Sequence, residues 1–396
     1  MKRFSDRTVV VLFVIYGFEA VAANLAHPIT PNLIEYRNMP NYMFGVVFAA
    51  MSLTNFLLSP FWGNICNHIE SRKLLMISGI GYAVGQGMFG IATNPLVMTM
   101  ARFVSGLFVS CMSIAATYYV ILHSPPEEKS RNLTITITTF TVMGTFGYFL
   151  GGYLGNINIF IPFLLQCILL SLSGILYYIF LKPNSVVKVA NYKELIHKSN
   201  PVQSFIDIGP SLSPLVISLF ATVLFASLAS TSFTQNYAYY LQNTLGMSPL
   251  INGITKGLVG IFATIFNFTI TLMILRKNDV EKHLSYLFAV LASVLTIIGL
   301  YRSNPTIFIV LGIVVMVLDT IQVSILQDRN AAYATPENQG VMLGMHNAMK
   351  ALGMIGGSLI SGFIYDFNPF YPFVMTLILY VLAMFSANKL RKRSCL

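Results

Sequence analysis

The chain is 396 residues long and carries 24 Lys and Arg against 14 Asp and Glu, a formal net charge of +10. Hydrophobic residues make up 55% and charged residues only 10%, where a soluble domain has about 25% charged; mean hydropathy is +0.70. These values exclude a soluble protein and point to a chain that lives in lipid.

Apolar runs of roughly 20 residues, enough to cross a bilayer as a helix, fall at 8–34, 42–66, 74–93, 96–122, 132–154 and 159–181. They resume at 213–241, 248–275, 284–302, 305–327, 341–365 and 371–388. The expectation is an all-α integral membrane protein of about twelve transmembrane helices. A β-barrel would alternate in short segments of about ten residues, and these runs are continuous. The first run is too long for a cleavable signal peptide and lacks a small-residue cleavage site, so it is read as the first span.

The polar stretch 182–212 divides six spans from six. It predicts an N-terminal six-helix bundle (1–181), a cytoplasmic linker with a short amphipathic surface helix, and a C-terminal six-helix bundle (213–396). With both termini cytoplasmic, one face collects Arg3, Arg72, Lys73, Lys129, Arg131, Lys182, Lys188, Arg276, Lys277, Lys389 and Arg393, while the other holds only Arg37 and Arg302. The positive-inside rule thus explains the basic balance. A nucleic-acid partner is not needed; the expected setting is multi-pass in a cell membrane, the bacterial plasma membrane, with the lipid bilayer as partner. Cys66, Cys111, Cys167 and Cys395 lie in spans or at the tail without metal-ligand spacing, so no disulfide framework, metal or cofactor is expected.

In chain order, the first span carries Glu19 about ten residues in, then Asn24 and, near its outer end, His27, which reads as a capping or interface residue with a proton relay as the alternative. The fourth carries Arg102. The seventh offers Gln235, Asn236, Tyr237, Tyr239 and Tyr240, which serve equally as substrate contacts or as an interface belt. Lys256 lies in the eighth, towards the outer surface and able to snorkel. The tenth carries Asp319, with Gln322 beyond it, and the eleventh Lys350, one turn after His346 on the same face. At 1.5 Å per residue, Glu19, Asp319 and Lys350 lie near the midplane. A charge there costs roughly 2.5–3.5 kcal/mol on insertion scales and usually faces an interior cavity.

An internal repeat supports the two-part division. At an offset of 210 positions GYLGNINIFIPF, from Gly152, aligns with GFIYDFNPFYPF, from Gly362. At the same offset Pro126 and Glu127 meet Pro336 and Glu337 in the preceding loops. A duplicated six-span unit joined by a cytoplasmic linker suits a transporter.

Local motifs sharpen this. Gly63, Arg72 and Lys73 fit the family loop G-x-x-x-D-R/K-x-G-x-R/K-R/K between the second and third spans, with Asn67 in place of the acid and Glu70 in place of the second glycine. Arg102 and Gly106 fit R-x-x-x-G in the fourth span. Gly147, Gly151 and Gly152 fit the G-P-x-x-G-G pattern of the fifth, with Tyr148 in the proline position. The loop SPPEEKSRN, the stretch TPENQGVMLGMHNAMKALGMIGG, and Pro28 and Pro31 add further likeness. On these residues the chain resembles the major facilitator superfamily, in particular its twelve-span drug:proton antiporters. The resemblance implies that spans 1, 4, 7 and 10 line a central cavity, bringing Glu19, Arg102 and Asp319 to a shared water-filled space. It also implies that the glycine motifs act in gating.

Desolvation disfavours the charged form of a carboxyl, which brings a buried acid nearer to proton exchange at neutral pH. Asp319 and Glu19 are therefore the candidate proton-coupling residues. A fixed ion pair between Asp319 and Lys350 is the competing role. Arg102, Lys350, His346, Gln235, Asn236, Tyr239, Gln322 and Asn24 are the candidate substrate contacts. No G-x-x-x-x-G-K-[ST], H-E-x-x-H or G-x-S-x-G occurs, which argues against an ATP-driven pump and an intramembrane enzyme. The expected activity is proton-coupled efflux of a small amphipathic compound or drug by a functional monomer. Export of an anionic or zwitterionic metabolite, such as a siderophore or sugar acid, and proton-coupled import stay open.

Overall fold

A computed structural model describes residues 7–186, 213–334 and 339–394, the side chains of 130 and 339–341 excepted. Most of the expected linker, the start of the TPENQG stretch and Cys395 lie outside the described residues. Among the described residues, twelve helices are long and apolar enough to cross a membrane, each overlapping one of the twelve runs, and no strand occurs.

The first span is α1 (Arg7–Asn24) and α2 (Thr30–Tyr36), joined by a 3₁₀ turn at His27–Ile29. Pro28 and Pro31 explain the break, since proline donates no backbone hydrogen bond and clashes with the preceding turn. Then follow α3 (Met43–Ile65), α4 (Ser71–Ile91), α5 (Pro95–His123), α6 (Lys129–Ile157) and α7 (Ile161–Phe180). The second set begins with α8 (Pro214–Asn243) and α9 (Pro249–Phe266). A π-helical segment, Asn267–Thr271, leads from α9 into the short α10 (Leu272–Leu275). The remainder is α11 (Val280–Leu300), α12 (Pro305–Ala332), α13 (Gln339–Phe367) and α14 (Tyr371–Ser394).

The chain forms two compact units. Unit 1 comprises Met1–Met39, Ala50–Pro201 and Ser248–Ile254; unit 2 comprises Pro40–Ala49, Val202–Met247 and Thr255–Leu396. In unit 1, α1 packs on α6 and α7, and α4 on α5 and α7. Its core gathers Leu12, Tyr16, Leu74, Cys111, Tyr119 and Tyr177. In unit 2, α8 packs on α13 and α14, and α11 on α12 and α14. The two packing schemes are the same once the 210-residue offset is applied.

The offset also reproduces individual hydrogen bonds. Asn94 accepts from the Val97 backbone at 2.9 Å and caps α5, and Asn304 accepts from the Ile307 backbone at 3.1 Å and caps α12. Each stands before a proline at the first helical position, where the missing donor costs nothing. Asn158 and Asn368 accept from the Phe160 and Phe370 backbones, both at 2.9 Å. Gln166 of α7 donates to the carbonyls of Ala22 and Ala23, both at 2.9 Å. At the matching place Thr376 of α14 donates to the Ser232 hydroxyl at 3.0 Å.

Glycines set the closest helix approaches, because small residues let backbones meet. A Cβ on Gly152 would lie 3.1 Å from Gly253 Cα within unit 1, and one on Gly362 would lie 3.2 Å from Gly45 Cα within unit 2. Gly147 and Gly151 of α6 lie against the carbonyls of Val21 and Leu25. In this structure these family-motif glycines are therefore close-packing positions. Gly63 has nothing within 4 Å of its Cβ position.

In the loop before α4, Glu70 receives Arg72 Nε at 2.7 Å and Lys73 Nζ at 2.8 Å. Asn67 accepts from the Tyr118 hydroxyl at 2.9 Å. Glu70 thus supplies the negative charge that Asn67 lacks. The Lys73 hydrogen bond, followed by that of Arg72, holds the Glu70 carboxyl below its ordinary value of 4.5. A carboxyl lowered in the folded state contributes stability that is present above its unfolded value and lost as pH falls through the folded one. Thermal unfolding of the purified chain should lose stability below about pH 4.5 through this group. Glu70→Gln is expected to flatten that acid limb; an unchanged limb would assign it to other carboxyls.

Candidate functional site

Among the described residues each unit carries a carboxyl group near the middle of a span, Glu19 in unit 1 and Asp319 in unit 2. Glu19 of α1 is 0% exposed, and its Oε2 accepts from the Tyr177 hydroxyl of α7 at 2.7 Å. Oε1 is buried without a hydrogen-bond partner. Tyr16, Tyr82 and Cys111 complete its electrostatic surroundings. Glu19 is therefore turned into the wall between α1 and α7. The sequence expectation placed it on a water-filled space; in the structure its own unit seals it.

Arg102 of α5 is 4% exposed. Its guanidinium lies 3.7 Å from the Phe89 ring centroid, and it reaches Thr30 Oγ1 at 3.3 Å and Met51 Sδ at 3.8 Å. Its Nε has no hydrogen-bond partner. Among the described residues no carboxylate lies within the 4 Å of an ion pair. The stacking supplies cation–π attraction, and the neutral contacts leave a buried positive charge without its counter-charge.

In unit 2, Asp319 of α12 is half-buried. Oδ2 accepts from the Ser230 hydroxyl at 2.6 Å, while Oδ1 accepts from the Tyr380 hydroxyl at 2.8 Å and Gln322 Nε2 at 3.0 Å. Every donor is neutral. The competing ion pair with Lys350 is not formed: Lys350 and Lys256 both interact electrostatically with Asp319, but neither ammonium reaches it at ion-pair distance among the described residues. Neutral hydroxyls can reverse their donor and acceptor roles. The site is thus built to hold either protonation state of the carboxyl.

The other candidates separate. Gln322 touches Asp319 directly, and its Oε1 is buried without a partner. His346 is 6% exposed, its Nδ1 unpartnered. Asn24 donates to the Ala20 carbonyl, and Asn236 to the Ser232 carbonyl, each within its own helix. Tyr239 donates to Asn41 at 2.8 Å and stacks on Phe44, and Gln235 is half-buried. His27 stacks on Tyr148 with centroids 5.5 Å apart. Lys256 reaches inward, 3.4 Å from Met316 Sδ, where snorkelling to the surface was expected.

One polar group escaped the sequence reading. Asn267, which opens the π segment, donates to Thr320 Oγ1 at 3.0 Å and accepts from Ser324 at 2.9 Å and Thr271 at 3.0 Å. It sits beside the residue that follows Asp319. The apolar run around Asn267 gave no signal of it.

Comparison with known proteins adds a second line of evidence. A family-wide sequence profile described as Major Facilitator Superfamily matches residues 12–331. Multidrug resistance protein 2 of Bacillus subtilis (strain 168) is 18% identical over 348 residues, covering 88% of this chain and 86% of that protein. Quinolone resistance protein NorA of Staphylococcus aureus (strain MSSA476) is 24% identical over 368 residues, covering 89% and 88%. Among solved structures, a bacterial homologue of the human lysosomal transporter Spinster, inward-facing and unoccupied, superposes with a TM-score of 0.74 at 11% identity, covering 99% and 98% of the two chains.

Proposed function

Since the chain belongs to the Major Facilitator Superfamily, we propose that it is a plasma-membrane exporter that expels a small amphipathic compound by alternating access, coupled to proton entry. Both termini face the cytoplasm, the halves 1–181 and 213–396 rock against each other about the linker 182–212, and one chain is the working unit. The drug-resistance proteins it resembles support export. Proton coupling rests on one observation: a half-buried carboxyl in the middle of a span, Asp319, held only by neutral groups that tolerate it charged or protonated. A membrane potential of about 100 mV supplies roughly 2.3 kcal/mol for each charge moved, so one or two protons per cycle support a useful gradient.

Glu19 is the second proton site, slower to reach because α1 and α7 enclose it. Gln can still accept from Tyr177, so Glu19→Gln keeps the fold and removes the proton. Ethidium efflux driven by an imposed pH gradient in proteoliposomes is expected to fall severalfold with this variant. Undiminished efflux would strike Glu19 from the coupling set.

The direct test is quenching of a pH-sensitive dye in everted vesicles. Adding ethidium to vesicles containing the chain should release protons from the lumen, and vesicles lacking it should not respond. Absence of release in both would sink proton antiport. A second reading, export of an acid-bearing compound, is favoured by the counter-charge missing at Arg102.

A further inference from the structure

Lys350 stands in the middle of α13 with an exposed side chain, and the helix shows why. Two faces of α13 are exposed. Leu352, Ile360 and Phe363 form one, apolar up to Asp366 at the helix end and suited to lipid. Leu343, Asn347 and Lys350 form the other, four and three residues apart and so aligned along one stripe, roughly opposite the first at 3.6 residues per turn. An amide and an ammonium on the side away from lipid mark a water-accessible wall.

Lys350 has no hydrogen bond or ion pair among the described residues. The acid it senses, Asp319, has both oxygens engaged by Ser230, Tyr380 and Gln322. Lys256 senses the same carboxylate, so this level of unit 2 carries two ammonium groups to one acid. One turn before Lys350, His346 buries an Nδ1 that has no hydrogen-bond partner among the described residues, a group whose burial is costly until something satisfies it.

We propose that Lys350, with His346 beside it, is a subsite for a carboxylate, and that the compound carried bears one. This deepens the export reading and rests on it for the identity of the cargo. The ammonium supplies the charge and the imidazole a second hydrogen bond, and hydrogen bonds to an ionised carboxylate are stronger than neutral ones. Asp319 stays free for the proton because the cargo's acid, and not Asp319, occupies Lys350.

The test is equilibrium binding to the full chain in detergent, without a proton gradient, using norfloxacin and norfloxacin methyl ester, which differ only in the carboxylate. The unsubstituted chain is expected to bind the acid at least tenfold more tightly. Lys350→Gln should erase the difference and Lys350→Arg retain it, with an unchanged size-exclusion profile and thermal unfolding midpoint in all three as the check on folding. Independently of any variant, norfloxacin but not its ester should slow modification of Lys350 by an amine-reactive reagent, read by mass spectrometry. No preference for the acid in the unsubstituted chain, a preference that survives Lys350→Gln, or equal protection by acid and ester would each overturn the subsite. A carboxylate preference without any proton-driven transport would instead overturn the coupling and leave the subsite standing.

Discussion

Asp319→Asn is expected to reduce pH-driven efflux to the level of empty proteoliposomes, a loss of at least a hundredfold, while downhill exchange of ethidium across the same membrane continues. Asparagine matches the carboxyl in shape and keeps one oxygen to accept from Ser230 or Tyr380. It cannot take up or release a proton. Its amide also meets a ring of donors, so one of the three contacts made by Ser230, Tyr380 and Gln322 is lost or must turn. Leaving a buried donor unsatisfied costs about 1–3 kcal/mol, small enough for the protein to fold. Measuring coupled efflux and uncoupled exchange on one preparation separates loss of coupling from loss of structure. Coupled efflux that survives in Asp319→Asn would end its assignment as proton carrier.

The second large effect is structural. Gly151→Leu should leave almost no folded protein in the membrane. A Cβ at this position would meet the Leu25 carbonyl oxygen, with the carbonyl carbon at 2.7 Å and Cα at 2.9 Å. These are backbone atoms of the turn that directly follows α1, which cannot yield without moving the end of the helix that carries Glu19. Overpacking typically costs 1–3 kcal/mol, and an entire isobutyl group forced between two backbones exceeds that range. Gly63→Ala is the matched control, since nothing lies within 4 Å of its Cβ position. Membrane yield and size-exclusion profile should collapse for the first and match the unsubstituted chain for the second. Equal yields would show that α1 and α6 separate more readily than their packing implies.

The spans were legible because a helix in lipid must be apolar along its whole length, so composition alone fixes twelve runs to within a few residues of the observed ends. The repeat was legible in its loops, and the Asn94–Pro95 and Asn304–Pro305 caps show that the same offset held more than the first alignment used. The acids were legible as rare charges. Their partners were not: Tyr177 is 158 positions from Glu19 and Ser230 is 89 from Asp319, and helical periodicity says nothing about which distant helix a side chain will face. The competing pairing of Asp319 with Lys350 is absent for that reason, since three neutral groups from α8, α12 and α14 engage the carboxyl.

The π segment at Asn267–Thr271 bears on how this span ends. A π turn holds one residue more than the α turn it replaces, and one residue corresponds to about 100° around the axis. Asn267, locked to Thr320 and Ser324, therefore acts as an angular spacer. About three turns beyond Lys256, it sets the heading at which the chain leaves the span, and with it the direction in which Arg276 and Lys277 project.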